Sequence, residues 1–341
     1  MLVGGGVIDR RYGFLTFVGA REKVQVVFEG VGGCRIGEVV GSGDSHGLLA
    51  NETAILTNLD GGGKGPEVEV VVEAKLEHSK TGYSRYLDLA GTTASGIECA
   101  QHLRVYWQMA GFMIETSVQA GVKVERPDFW TIRVSLLAVD QTQFMKLREL
   151  LGKWRSTAAP KPSPYPTMVK AEQRWKASGP GSQAKKYCNV GMGPRRCPEL
   201  RAMLELLQQH GFEARLVPGP LLLATGGGTK QYRTAFPLSI GTAFAPTKEL
   251  LELACQQANH AGPDPDLDSG HGRRLLWTTH SLRRLADSVA RRDREKANVT
   301  EAEIDLYFGW HEAILLKEMQ RHYEAMSIRS RMKNARITQG I

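Results

Sequence analysis

The stretch HSLRRLADSVARRDREKANVTEAEIDLYFGWHEAILLKEMQRHY, residues 280–323, decides how the rest of the chain is interpreted. It opens with His280 and Arg283, spaced as H-x-x-R at the start of a predicted helix, and it contains Gly-Trp-His at 309–311 before ending at Tyr323. Histidine can move protons near neutral pH, arginine can hold a phosphate through two parallel hydrogen bonds, and tyrosine can bond covalently to a substrate. Residue types suited to phosphodiester chemistry therefore lie within one short segment.

Sequence signals indicate where a helix begins in this stretch and which face of the last helix packs against the protein. Thr300 and Glu303 have the spacing of a capping box, which predicts that a helix begins there. In the last helix, Leu316, Met319 and Tyr323 recur at helical spacing, so Tyr323 is expected on the packed face. The same spacing fits ordinary core packing, and His280 also fits a core histidine without a chemical role.

Composition sets the class of protein. The chain has 341 residues, 42% of them hydrophobic, which is enough for one large domain or two ordinary ones. Its net charge of +8 is concentrated in residues 155–197 (net +8) and 271–341 (net +5), while the remainder is net acidic. Two basic blocks permit a polyanionic partner such as DNA. Five scattered cysteines, with no secretory signal or membrane-length apolar run, predict an intracellular protein that does not enter a membrane.

Two motifs precede this stretch. Arg35 follows Gly-Gly-Cys and precedes a helical face that carries Glu38. Lys80 lies in Ser-Lys-Thr-Gly, residues 79–82, between two alternating apolar segments, which predicts the turn of a β-hairpin. Each taken alone also fits a solvated surface residue.

The middle of the chain is dominated by a basic segment, 156–198, rich in Pro, Gly, Ser and Lys, which predicts a long loop or linker. Cys188 and Cys197 are too widely spaced for a zinc knuckle and are expected to be structural thiols. Helices are predicted over 13–31, 100–114, 143–154 and 198–209.

These motifs, in chain order, resemble the active-site series of the tyrosine recombinases, the phage-integrase family. The resemblance covers the catalytic domain of that family, about residues 14–336, and it is strongest over 31–60, 68–89 and 273–330. The residues that carry it are Arg35, Lys80, His280, Arg283, Trp310 or His311, and Tyr323.

The resemblance implies a role for each residue. Arg35 and Arg283 would clamp the non-bridging phosphate oxygens, and Tyr323 would attack phosphorus to form a 3′-phosphotyrosyl link. His280 would assist proton transfer, and Lys80 would protonate the departing 5′-oxygen. Trp310 fits the sixth position and His311 is the second choice. No cofactor and no metal are expected.

The resemblance also implies the fold class, an α+β and mostly α-helical catalytic domain with a small antiparallel β-sheet around the Lys80 hairpin. Lys80 and His280 are unusually far apart, so we expect a long insertion. The expected organisation is therefore a first catalytic part at 1–114, an insertion with the basic linker at 115–215, and a second catalytic part at 216–341. The N-terminal DNA-clamping arm of the family is expected to be absent, truncated or supplied otherwise.

The sequence thus predicts a site-specific DNA recombinase or integrase that cuts and rejoins double-stranded DNA and self-assembles on it as a dimer or tetramer. It would act in the nucleus of a eukaryote, or in the cytoplasm and nucleoid of a bacterium or virus. The alternatives are a DNA-binding relative that no longer cuts and a type IB topoisomerase-like enzyme. Arg35 and Arg283 are expected side by side, with an anion or ordered water between them because like charges repel.

Overall fold

The structure is a computed structural model that describes residues 16–40, 47–59, 69–76, 85–137, 141–157, 172–175, 185–226, 232–245, 247–248, 281–308, 328, 332 and 335–339. Within them the chain is a mixture of α-helices and antiparallel β-sheets. The predicted combination of helices with an antiparallel sheet is confirmed. The strands are more extensive than predicted, because three sheets replace one small one.

Five strands form the largest sheet, in the order β3-β2-β1-β5-β4 with every pair antiparallel. They are β1 (Thr53–Asn58), β2 (Val70–Leu76), β3 (Arg85–Ala90), β4 (Met113–Gln119) and β5 (Val122–Asp128). The central strand β1 is buried on both faces over 53–56, which accounts for its three adjacent apolar residues, Ala54, Ile55 and Leu56. The last pair between β2 and β3 is Leu76 with Arg85, so these strands flank 77–84, the segment that contains Lys80. Lys80 itself lies outside the described residues.

Two helices, α1 (Phe17–Gly30) and α3 (Cys99–Ala110), cover one face of this sheet. The hydroxyl of Thr16 caps α1 by accepting a hydrogen bond from the Gly19 N–H at 3.0 Å. Gly111 ends α3 at φ 71°, the left-handed conformation that favours glycine. The helix predicted over 13–31 is confirmed by α1. The helix predicted over 100–114 is confirmed as far as Ala110, but Met113 and Ile114 belong to β4. The side chains that build this core include Val24, Phe28, Val72, Leu89, Leu103 and Trp107.

The opposite face of the five-stranded sheet is covered by the end of the chain. Met332 and Ala335 are fully buried against Leu56 and Val71 of the strands. The last short helix of the chain, α9 (Arg336–Gln339), packs on β3. The helices numbered between α3 and α9 belong to the parts of the chain described next. The sheet is therefore the middle layer, with the C-terminal segment on one side and α1 and α3 on the other.

A second unit has its own sheet and its own core. Its elements follow the order β-α-β-β-α-β, the split βαβ pattern, and the antiparallel sheet order is β7-β8-β6-β9. They are β6 (Trp130–Leu137), α4 (Gln141–Thr157), β7 (Glu172–Trp175), β8 (Lys185–Gly193), α5 (Pro198–Gln209) and β9 (Glu213–Pro218). The core between sheet and helices contains Ile132, Val134, Leu147, Val190, Leu200 and Met203.

This second unit corrects two expectations. The insertion was placed at 115–215, but β5 pairs with β1 and β4 pairs with β5, so 113–128 belongs to the first sheet and the separate sheet begins at Trp130. The prediction of a continuous loop or linker over 156–198 is wrong for 172–175 and 185–193, which form β7 and β8. Because β8 is a central strand buried over 189–193, it lacks the apolar-polar alternation by which strands are recognised.

The remaining elements lie mostly near the end of the chain. Strands β10 (Leu223–Gly226) and β11 (Tyr232–Pro237) form a two-stranded sheet. Helices α6 (Ser281–Arg292), α7 (Arg294–Ala297) and α8 (Glu301–Phe308) follow. The predicted capping box of α8 is confirmed, since the Thr300 N–H donates to Glu303 Oε2 at 2.7 Å and the Glu303 N–H donates to Thr300 Oγ1 at 3.2 Å.

Candidate active site

The loop after α1 positions the first candidate arginine. The Cys34 N–H donates back to the Phe28 carbonyl at 3.0 Å, which turns the chain sharply. Arg35 then starts α2 (Ile36–Val40), and its backbone N–H donates to Glu38 Oε2 at 2.8 Å. A glutamate three residues into a helix that reaches back to the first N–H is half of a capping box. The local fold therefore fixes both Arg35 and the Glu38 carboxylate.

Glu38 joins the two arginines that the sequence singled out. Arg35 Nη1 donates to Glu38 Oε1 at 3.0 Å. Arg283, on the first turn of α6, places Nη1 3.6 Å from Glu38 Oε2. The expected juxtaposition of Arg35 and Arg283 is thus present, although they come from opposite ends of the chain. The Glu38 carboxylate contacts both guanidinium groups and offsets one of the two positive charges.

The two arginines differ in exposure. The Arg283 side chain is 2% exposed, and its Nη1 also donates to the Gly33 carbonyl at 3.0 Å. The Arg35 side chain is 24% exposed, and its buried Nε has no hydrogen-bond partner among the described residues. Part of the Arg35 guanidinium is therefore accessible to an oxygen ligand. Arg283 is held inside the protein as the structure stands.

Helix α8 brings a third motif to this loop. Gly33 adopts φ 58°, and a Cβ built there would lie 2.1 Å from the Phe308 ring, so only glycine allows this approach. Phe308 is the last residue of α8 and directly precedes the Gly-Trp-His at 309–311. Trp310 and His311 themselves lie outside the described residues. The helix that leads into this motif nevertheless ends against the loop that carries Arg35.

The remaining candidates, His280 and Tyr323, are not among the described residues. His280 directly precedes Ser281, the first residue of α6. Tyr307, the nearest alternative tyrosine, is 3% exposed and packs edge-on against Phe308 at 5.2 Å between ring centroids, so its hydroxyl is closed to a large substrate. The structure thus brings together Arg35, Arg283 and the end of α8.

Glu38 is the site residue that sequence reasoning undervalued. It was noted only as part of the arginine motif, yet its carboxylate contacts both guanidinium groups and the Arg35 backbone. The available signal was its position three residues after Arg35, the spacing of a capping box.

A second polar feature was not predicted at all. Arg21, Gln25 and Glu29 form a buried stripe on α1, although the helix was predicted from its apolar residues. Burial raises the pKa of Glu29 to about 7, while hydrogen bonds from Gln25 and Thr247 act in the opposite direction. Gln25 Nε2 donates to Glu29 Oε1 at 2.9 Å, and Thr247 Oγ1 donates to Oε2 at 3.3 Å.

The described part of the chain contains no group of three or more His, Cys, Asp or Glu side chains arranged to hold a metal ion. Cys34, Cys99 and Cys197 are buried. None of its helices combines the length and the apolar character needed to cross a bilayer.

Comparison with known proteins adds no relative. No family model, curated protein or solved structure matches the chain.

Proposed function

We propose that this protein is a tyrosine-type DNA strand-breaking and rejoining enzyme, a site-specific recombinase or integrase. The observation that carries the proposal is the meeting of Arg35 and Arg283 on the Glu38 carboxylate. Two segments chosen from sequence as halves of a phosphate clamp are adjacent in space.

The proposed chemistry assigns the clamp to the scissile phosphate. The guanidinium of Arg35 reaches solvent and would contact a non-bridging oxygen, with Arg283 behind it adding positive charge that favours the developing negative charge. Tyr323 would attack phosphorus, and His280 and Lys80 would move the protons. The covalent link retains the energy of the broken bond, so rejoining needs no nucleotide.

One observation favours the non-cutting alternative. Arg283 is 2% exposed and already bonded to the Gly33 carbonyl, so a direct phosphate contact requires this region to open. A DNA-binding relative that no longer cuts would have no need for such an opening. The two functions differ in one product, a covalent protein–DNA adduct.

The test is to trap that adduct. The protein is incubated with a pool of nicked duplexes of randomised sequence, on which cleavage releases a short strand and prevents rejoining. We expect a detergent-resistant adduct with the wild-type chain and with Tyr307→Phe, and none with Tyr323→Phe, which keeps shape and charge. Arg35→Ala should lower adduct formation at least 100-fold, on the order of 3 kcal/mol. Arg35→Lys should restore little of it, because the lysine ammonium cannot reproduce the two parallel hydrogen bonds that a guanidinium makes to a phosphate.

The outcomes separate the hypotheses. DNA binding without any wild-type adduct would support the non-cutting relative. An adduct that persists in Tyr323→Phe would show that another residue is the nucleophile. A wild-type chain that neither binds nor cuts DNA would refute both.

A further inference from the structure

Strand β4 is an open edge of the five-stranded sheet. All seven of its residues are exposed, including Met113 (43%), Ile114 (36%) and Val118 (63%). Among the described strands it pairs only with β5, so its outer row of backbone N–H and C=O groups has no strand partner within the described part of the chain. The edge strand on the other side, β3, is covered near its end, where the Ala90 N–H donates to Thr338 Oγ1 at 2.8 Å.

This edge has few of the features by which proteins prevent edge pairing. Exposed edge strands are usually interrupted by charged residues, above all lysine, or by proline or a bulge. The sequence of β4, MIETSVQ, has one charge, Glu115, but neither lysine nor proline, and its register with β5 is continuous from Met113 to Gln119. A strand of this length with a single charge is suited to pairing with another strand wherever that charge is not opposed by its own equivalent.

The sequence of β4 is complementary to itself. In an antiparallel pair of two β4 strands centred on Thr116, Ile114 faces Val118 of the second copy and Thr116 faces its own equivalent. Glu115 faces Ser117, so the two carboxylates are not opposed. Centring the pair on Glu115 would oppose like charges, which is destabilising, and centring it on Ser117 would leave part of the strand unpaired. Only the Thr116 register pairs the whole strand.

We propose that β4 is a homodimerisation edge, at which two copies pair antiparallel around Thr116 and join their five-stranded sheets into one. Apolar contacts between Ile114 and Val118 and the backbone hydrogen bonds of the new ladder stabilise the pair. One strand per copy is a small interface, so the dimer is weak and depends on concentration. The pairing needs no DNA and is independent of the proposed cutting activity.

The first test measures mass by sedimentation equilibrium of the full chain without DNA. We expect the mass to shift with concentration from 37.6 kDa to the dimer value. Thr116→Lys places two lysines opposite each other on the two-fold axis and should weaken the dimer at least tenfold, on the order of like-charge opposition across strands. In the single chain, position 116 is exposed and pairs with Glu125 of β5, so folding should persist, as circular dichroism will verify. Ser117→Lys instead meets Glu115 of the second copy and should tighten the dimer.

The second test is a cross-link that depends on the register. Thr116→Cys places two thiols directly across the axis, at a separation that a disulfide can bridge in an antiparallel pair. Oxidised glutathione should cross-link this variant, whereas Glu115→Cys, which faces Ser117, and the wild-type chain should remain uncross-linked. A chain that stays monomeric, a dimer unaffected by Thr116→Lys, or equal cross-linking of the two cysteine variants would each overturn the proposal.

Discussion

Glu38 links Arg35 and Arg283, because its two carboxylate oxygens contact guanidinium groups from opposite ends of the chain. We call these three residues the arginine site. Its side chain is 6% exposed and that of Arg283 is 2% exposed, so both charges are largely removed from water. A buried charge of this kind is tolerated only while it is paired. Removing either partner should therefore cost more than a surface ion pair would.

We predict that Arg283→Ala lowers the free energy of unfolding by about 3–5 kcal/mol, because it leaves the Glu38 carboxylate buried with one partner fewer. The double variant with Glu38→Gln should show a coupling energy of about 1–3 kcal/mol, measured by urea unfolding. Lys153→Ala, which breaks the exposed pair with Glu149 on α4, is the control and should have no measurable effect. Additive single-variant effects would show that Arg283 and Glu38 are not energetically coupled.

Glu29 is the second residue whose charge is affected by burial. It is 2% exposed, and its pKa is raised to about 7 from an ordinary value of 4.5. The folded protein therefore holds a proton that the unfolded chain releases. The stabilisation from this proton is fully present below about pH 4.5 and is lost as the pH rises through about 7.

We predict that Glu29→Gln reduces the fall in stability over that pH window by roughly 1.4 kcal/mol per pH unit relative to the wild type. Glutamine keeps one oxygen for Gln25 and offers an amide donor to Thr247, so the hydrogen bonds are retained. Glu149→Gln is the control, because a hydrogen bond from Lys153 lowers the pKa of Glu149, so its pH dependence lies below about pH 4.5 and the substitution should leave the slope across the window unchanged. Urea unfolding across the window measures both, and parallel wild-type and Glu29→Gln curves would refute the assignment.

At the scale of elements, the contact between Gly33 and Phe308 holds the end of α8 against the loop that follows α1. A methyl group at position 33 would meet two ring atoms at 2.1 and 2.4 Å. Neither part can shift easily, since Phe308 is fully buried and the Gly33 carbonyl accepts a bond from Arg283. The geometry of the arginine site therefore depends on this glycine.

We predict that Gly33→Ala destabilises the protein by about 2–5 kcal/mol, the combined cost of left-handed backbone strain and overpacking. Gly96→Ala is the matched control. Gly96 also has a positive φ, 83°, but nothing lies within 4 Å of its would-be Cβ, so only backbone strain remains. In a Phe308→Ala background the cost of Gly33→Ala should fall to that of Gly96→Ala. Equal costs of the two alanine variants in the wild-type background would contradict the contact.

Local signals account for the elements that the sequence predicted. Helix α5 has proline at its first turn, and α8 has a complete capping box, so both were located to within a residue or two. Strands β6–β9 were missed because their pairing is non-local and the basic residues between them indicated a linker. The juxtaposition of Arg35 and Arg283 came from the resemblance, while the role of Glu38 as the intervening anion emerged only from tertiary geometry.

At the scale of the whole molecule, many of the arginines counted in the basic segment 271–341 form ion pairs with nearby acids. The net charge of that segment therefore overstates the positive charge that could contact the proposed DNA partner. On α6 and α7, Arg291 pairs with Asp287 and Asp305, Arg292 with Asp293, and Arg294 with Glu301. These arginines are already balanced by acids of the same region. The basic block 155–197, which contains only one acidic residue, is therefore the stronger candidate for non-specific DNA affinity.

We predict that replacing Lys161, Lys170 and Lys176 with glutamine flattens the dependence of log DNA affinity on log salt concentration. Each phosphate that the protein no longer neutralises lowers the slope by about 0.9 unit, so the three substitutions together lower it by up to about 3 units. All three lie outside the described residues and so outside α4, β7 and β8. The charge-matched control replaces Lys146, Arg148 and Lys153 on the exposed face of α4, which removes three charges from a described helix. A smaller slope change in the control would assign the phosphate contacts to the basic block, whereas equal changes would mean that net charge alone determines DNA affinity.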